Sequence, residues 1–361
     1  MWHEPIIGWD LGGAHVKAAG LGMDGAIYHV TQRPCPLWLG LSQLRTTVRS
    51  VLEDMQISEA THVVTMTGEL ADVFINRAQG VCELLNIMTQ QLAEAPLLVY
   101  GGPVGFVPPE AAVRNAEKVA SANWLAAGTL IAARMAEGLF VDIGSTSTDI
   151  LVFAGGRVGS RGYTDHQRLA YDELIYTGVV RTPVMAVTDK VASSGRWISM
   201  MAEQFATTAD IYRLTGDLPQ YADMLPSADG GDKTELASAR RLARMQGRDA
   251  AAASTEWERI AKYIAECQLS RLRKACEINL SREILSPQAP LVGAGVGRFL
   301  TRALAMRLQR PFVDFGTFFP PEAIAGGTAI ADCAPAVAVA LLASAHLSNA
   351  GASDDRDALN E

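Results

Sequence analysis

The sequence predicts an α/β fold built from two related halves. Three observations carry that prediction: apolar strands alternate with amphipathic helices over residues 5–136, the pattern restarts at Gly138, and residue 10 laid on residue 142 matches Asp10 with Asp142 and Gly12 with Gly144 behind an apolar strand each time. An offset of 132 residues is too long for a solenoid. It points to duplication into two halves that face one another across a cleft.

The chain has 361 residues, room for two domains of about 150 residues each. With 49% hydrophobic and 19% charged residues, disorder, collagen and coiled coil are excluded as readings of the whole chain. A net charge of −8 and a pI near 5.4 leave no cationic excess to neutralise a phosphate backbone, so nucleic acid is not an expected partner. The five cysteines are scattered without metal or redox spacing, which reads as reduced thiols in a cytoplasmic protein. Met-Trp-His-Glu-Pro carries neither a basic segment nor an apolar h-region, and the apolar run from Ala334 to Ala345 contains Pro335 and is too short for a bilayer. No membrane association is expected.

Residues 5–31 read as a hairpin or meander: Ile6-Ile7-Gly8-Trp9 runs into Asp10, Gly12-Gly13 turns, and Val16 to Leu21 continues. Leu41, Leu44, Val48, Val51 and Leu52 predict a helix from about Gly40 to Met55. Thr61 to Thr67 reads as a buried strand ending in Gly68-Glu69, Leu70 to Gly80 as helical, Pro96 to Tyr100 as a strand, and Ala111 to Ala136 as one or two helices. After Gly138, Leu139-Phe140-Val141 enters Asp142, the chain turns at Gly144, and Thr148 to Ala154 leaves toward Gly155-Gly156. Residues 195–276 predict a helical insertion, and the strand Pro290 to Val292 enters Gly293-Ala-Gly295-Val-Gly297 and a helix from about Arg298 to Leu308. A last helix from Pro321 to Ala345 is expected to pack back onto the first half, and the Ser/Asp/Asn-rich tail 347–361 to be disordered. The resulting lobes are residues 1–133 and 134–346.

The hairpins carry the candidate chemistry. In Asp10-Leu-Gly12-Gly13-Ala-His15-Val-Lys17, glycines bring backbone N–H groups close to a ligand, Asp10 offers a carboxylate to Mg²⁺, and Lys17 offers a cation to phosphate. In Asp142-Ile-Gly144-Ser145-Thr146-Ser147-Thr148-Asp149 the same turn bears hydroxyls, with Asp142 and Asp149 as hard oxygen ligands. Two such hairpins would clamp a polyphosphate and its metal. Each Asp-x-Gly turn alone is more often a plain hairpin; the matched repeat is what favours function. Gly293, Gly295 and Gly297 lack the further glycine of a dinucleotide fingerprint, since Arg298 stands there, and suit a backbone platform under a purine or a close strand–helix packing turn.

Glu69, at a turn after a strand, is a general base or metal ligand, or else a carboxylate favouring a helix dipole. Arg181 binds an anion or makes a surface ion pair, and Asn123-Trp124 is more simply core. His15 is either a substrate contact or an exposed turn residue, and Arg271 to Lys274 a solvated helix face. The six histidines form no metal spacing, and zincin, nucleophile-elbow and Walker motifs are missing from the sequence.

The three glycine motifs together resemble the two phosphate motifs and the adenosine motif of the superfamily of acetate and sugar kinases, heat-shock chaperones and actin. Met66-Thr-Gly-Glu69-Leu, Ser121-Ala-Asn-Trp124, Tyr176-Thr-Gly-Val-Val-Arg181-Thr-Pro183 and Ala209-Asp-Ile-Tyr-Arg-Leu-Thr-Gly216 more narrowly resemble the hydantoinase/oxoprolinase-related proteins linked to tetrahydromethanopterin one-carbon metabolism. The resemblance spans residues 5–345.

It implies a duplicated ribonuclease-H-like, actin-like ATPase fold with its site in the interdomain cleft. It also implies an enzyme making methanofuran- or methylofuran-type cofactors, in which a tyramine-type phenol oxygen displaces diphosphate from a furan-methyl diphosphate with Mg²⁺ present. Mg²⁺, the turn amides, Ser145, Thr146 and Lys17 would stabilise the departing diphosphate, Thr148 would join the glycines in binding the cofactor, and Glu69 would take the phenol proton. The partners implied are that small-molecule diphosphate and an amine/phenol acceptor, with a homodimer admitted. Because the third turn still resembles an adenosine site, ATP stays open as a ligand, and with it a small-molecule kinase or an oxoprolinase-like hydrolase.

Overall fold

The structure, a computed structural model, describes residues 4–57, 59–252, 254–320 and 325–358. The chain divides into two units, Met1–Ala136 with Gly156–Val158 and Gly316–Glu361, and Glu137–Gly155 with Gly159–Phe315.

The first unit opens with β1 (Ile6–Leu11), β2 (His15–Leu21) and β3 (Ile27–Pro34), an antiparallel meander, followed by helix α1 (Ser42–Met55) and β4 (Thr61–Met66), which pairs parallel with β1. Helix α2 (Arg77–Leu92) leads to β5 (Leu97–Tyr100) and the short β6 (Phe106–Val107), giving the sheet order β3-β2-β1-β4-β5-β6. The segment expected to be helical from Leu70 starts later. A 3-10 turn covers Gly68–Leu70, and α2 begins only where the Asn76 side chain accepts from the Gln79 N–H and so caps it. Three short helices, α3 (Pro109–Arg114), α4 (Ala116–Val119) and α5 (Asn123–Arg134), replace the predicted one or two. Trp9, Leu11, Val48, Val64, Met66, Leu84 and Met88 meet in one core; full burial of such side chains contributes about 1.5–3 kcal/mol each.

The second unit repeats the topology. Strands β7 (Glu137–Ile143) and β8 (Thr148–Ala154) form the hairpin; after β9 (Arg157–Val158), which is counted with the first unit, come α6 (Asp165–Ala170) and β10 (Leu174–Ile175). Next come a β11–β12 hairpin (Lys190–Ser193, Arg196–Ser199) and helices α7 (Thr208–Thr215), α8 (Glu235–Arg244) and α9 (Thr255–Leu280), then β13 (Leu291–Ala294), α10 (Arg298–Arg307) and β14 (Phe312–Asp314). Its sheet order, β10-β8-β7-β13-β14, matches β3-β2-β1-β4-β5 strand for strand, with the first pairs antiparallel and the last two parallel. This is the duplicated ribonuclease-H-like arrangement that the resemblance implies. The insertion carries a core of its own, in which Ile211, Leu242, Trp257 and Ile260 pack together, and it includes a β-hairpin that composition did not reveal.

The last helix, α11 (Ala334–Ala358), corrects three expectations. The expected second lobe, 134–346, loses its end: residues from Gly316 onward belong to the first unit, where α11 packs on β1, β2, β4 and α5. Gly8 explains the fit, because a Cβ there would stand 2.9 Å from the Ala340 Cβ. The tail expected to be disordered from 347 continues this helix to Ala358, while 359–361, like 321–324 at the expected helix start, lie outside the described residues. Residues Ile330–Asn349 form an apolar helix longer than the predicted run and long enough to span a bilayer, but two-thirds of its most apolar stretch is buried inside the protein, as in a core helix.

Candidate functional site

In the first unit, Asp10 stands opposite Lys17 on β2 and beside Thr65 on β4. Because strand side chains alternate faces, all three share the face on which Gly8 meets α11. Asp10 is buried and Lys17 half-buried. The turn is closed by its own backbone, the Gly12 N–H donating to the His15 carbonyl at 2.9 Å, so that amide serves the turn and not a ligand. Gly13-Ala14 is left at the tip. His15, an exposed turn residue in the simpler reading, is buried because it opens β2.

Two segments close on this hairpin. The Leu37 N–H donates to the Gly13 carbonyl at 3.1 Å, and the Thr67 N–H to the Leu11 carbonyl at 3.0 Å. The second contact delivers Gly68-Glu69-Leu70, with a Cβ on Gly68 standing 3.3 Å from the Gly12 carbonyl carbon. Glu69 is 1% exposed, and the Ser121 hydroxyl donates to its Oε1 at 2.9 Å. The Arg77 guanidinium in turn reaches Ser121 Oγ at 3.5 Å. Asn76 caps α2, while the Glu69 carboxylate accepts from Ser121. The segments carrying Asp10, Gly12, Gly13, Lys17 and Glu69 are thus brought together, and Trp38, Leu39 and Leu70, close in the chain to the contacting residues, are exposed. Sequence reasoning missed Asp332, 1% exposed in a 3-10 turn packed against β2 and β3. The Gly326-Gly327-Thr328 turn before it was the available signal, hidden by assigning this stretch to the other lobe.

In the second unit the hairpin is rebuilt in the same register: Gly144 N–H donates to the Ser147 carbonyl at 2.9 Å, and Asp142 pairs with Asp149 where Asp10 pairs with Lys17. Ser145-Thr146 takes the tip. The Thr177–Pro183 loop clamps it, with the Val179 and Arg181 N–H groups donating to the Gly144 and Ser145 carbonyls at 3.1 and 2.9 Å. The Arg181 guanidinium donates to Thr146 Oγ1 at 3.2 Å, and burial pulls the pKa of this arginine below its ordinary value while Tyr176 opposes the shift. Gln268 holds the loop by donating to Thr177 Oγ1 and the Gly178 carbonyl at 2.8 and 2.9 Å. A half-buried cation beside two hydroxyls is the donor set an anion requires.

Four of the predicted groups have partners inside the protein. Asp149 forms a 2.9 Å ion pair through Oδ1 with the buried Arg168, which meets part of its charge. The Thr148 hydroxyl donates to the Thr177 carbonyl at 2.7 Å and has no proton left for phosphate. Gly293 and Gly297 are packing glycines: a Cβ at Gly293 would stand 2.7 Å from the Phe312 ring, and one at Gly297 2.7 Å from Val179. Only Gly295 of the three touches a candidate ligand, Asp142. Trp124 is buried and Arg271, Arg273 and Lys274 are exposed, as the simpler readings had them.

Among the described residues no three His, Cys, Asp or Glu side chains converge as a metal centre. Magnesium, however, takes one or two carboxylates and leaves its other positions to water and substrate phosphates. Asp10 at its glycine turn, with Lys17 opposite, fits an ion that arrives on a diphosphate.

The model of the hydantoinase/oxoprolinase family matches residues 60–336. The protein named (4-{4-[2-(gamma-L-glutamylamino)ethyl]phenoxymethyl}furan-2-yl)methanamine synthase in Methanocaldococcus jannaschii is 27% identical over 241 residues, 66% of this chain and 71% of that protein. The synthase of the same name in Methanococcus vannielii is 38% identical over 73 residues, 20% of this chain and 32% of that one. Among solved structures, nucleotide-free acetone carboxylase superimposes with a TM-score of 0.60 at 10% identity, covering 94% of this chain and 70% of that chain, a likeness of fold alone.

Proposed function

We propose that this chain, which belongs to the hydantoinase/oxoprolinase family, is a transferase of methanofuran-type cofactor synthesis that joins a furylmethyl group to a phenol oxygen. The name of its relatives describes a phenoxymethylfuran, a product whose defining bond is the ether between a furan methylene and an aryl oxygen. A furan-methyl diphosphate is the donor and a tyramine-type phenol the acceptor. The observation that carries this reading is that one unit holds both an Asp–Lys glycine hairpin suited to a diphosphate and, beside it, a buried carboxylate suited to a proton.

As the methylene–oxygen bond to diphosphate breaks, the furan stabilises positive charge on the methylene carbon and negative charge gathers on the departing diphosphate. Lys17 and the Gly13-Ala14 tip face that charge, and Asp10 would hold Mg²⁺, which supplies electrostatic stabilisation of the leaving group when bound. Glu69 accepts the phenol proton as the aryl oxygen bonds to the methylene carbon. Trp38, Leu39 and Leu70 offer apolar surface to the two rings.

The test is to incubate the protein with the furan-methyl diphosphate, a tyramine derivative and Mg²⁺, following diphosphate release and the ether by mass. Ether formation that stops with EDTA is expected. Saturating substrates without ether, or acceptor-stimulated ADP formation from ATP, would overturn it.

A further inference from the structure

Ser121 lies in the left-handed region at φ +52°, immediately beyond the end of α4. Helix ends commonly place one residue there, and glycine is the residue that does so without steric cost. A serine costs about 1–2 kcal/mol in that conformation and adds only a hydroxyl. Here the hydroxyl is buried and directed at Glu69, 52 residues away in the chain.

The direction of the hydrogen bonds is fixed by chemistry. A guanidinium has donors and no acceptor, so in its contact with Arg77 the Ser121 oxygen must accept. Its single proton is then committed to Glu69 Oε1. The backbone of Glu69 is confined as well, because α2 brings Gly80 so close that a Cβ there would stand 2.7 Å from the Glu69 Cα. Carboxylate and backbone are therefore held from two sides, by residues that the proposed reaction does not otherwise use.

We propose that Ser121 is a positioning residue: the chain Arg77 to Ser121 to Glu69 holds the Glu69 carboxylate in one orientation for receiving the acceptor proton. This rests on the reading of Glu69 as the base. The neighbouring elements carry further charged or titratable groups, Asp10, His15 and Lys17 on the adjoining hairpin, Arg77 on α2, and the exposed Glu117 and Lys118 on α4. The variants below leave all of them in place.

Ser121→Gly removes the hydroxyl while relaxing the backbone, so it separates the proposal from loss of folding; Ser121→Ala keeps the Cβ. Both are expected to lower kcat about tenfold with KM for the diphosphate within about twofold, and to move the acid limb of the kcat profile about one unit to higher pH. The double variant Ser121→Gly/Glu69→Gln should be no slower than Glu69→Gln, because the two act as one unit. A second readout needs no turnover: in protein carrying ¹³C-carboxyl glutamate, the Glu69 signal, identified by its loss in Glu69→Gln, should titrate at higher pH in both serine variants. An unmoved titration, or losses that multiply in the double variant, would overturn the proposal. A moved titration in a protein that forms no ether would leave the positioning role standing and sink the function proposed above.

Discussion

Gly295 lies against the carboxylate of Asp142: a Cβ built on it would stand 2.5 Å from Oδ1. Its φ of +77° is also one that side chains rarely adopt. The glycine turn after β13 therefore sets where the Asp142 carboxylate can be.

Gly295→Ala is expected to destabilise the second unit by about 2 kcal/mol, combining backbone strain with displacement of Asp142. Thermal unfolding followed by circular dichroism reads this directly; a variant melting with the wild type would show that the turn relaxes freely.

Gly80→Ala reverses a familiar sign. Alanine normally stabilises a helix interior over glycine by about 1 kcal/mol, yet here the added methyl meets the Glu69 backbone. We expect lower stability together with at least a tenfold loss of turnover. A more stable, fully active variant would count against the placement of Glu69.

Arg168→Met strands the charge of Asp149, whose side chain is 17% exposed, beside a buried site. Loss of about 3 kcal/mol is expected, since removing one member of a buried pair is costly, and Asp149→Asn in the same chain should restore part of it. Urea titration of the wild type and the two variants checks both halves. If the double variant is less stable than Arg168→Met, the pair is not what couples them.

His62 accepts from the Trp9 indole N–H at 3.0 Å, and burial lowers its pKa from 6.5 to about 4. The unfolded chain then binds more protons at this site between those values, so stability is full above about pH 6.5 and falls as pH drops toward about 4. The span corresponds to about 3 kcal/mol. His62→Gln, which keeps an acceptor for Trp9, should flatten that part of the stability profile; an unchanged slope would locate the titration elsewhere.

The repeated hairpins were legible because they are local. Two apolar strands, a glycine and an aspartate specify the turn from within eight residues, and the same Gly12–His15 and Gly144–Ser147 bonds close both copies. Glu69 was legible too, as a carboxylate at the end of a buried strand. Its bond to Ser121, the pairing of Asp149 with Arg168 and the turn of Thr148 toward Thr177 were not, because each joins residues 19 to 52 apart and depends on how helices settle on a sheet.

The alternation of strands and helices, the duplicated hairpin and the residue types at each turn were readable from the residues, since these follow from hydrophobic period and short-range backbone chemistry. Which acids were already paired, which glycines served packing, and that the chain from Gly316 onward belongs to the first unit followed only from the folded structure. Those outcomes depend on burial and close approach between distant segments, where a missing methyl or a single partner changes a side chain's role.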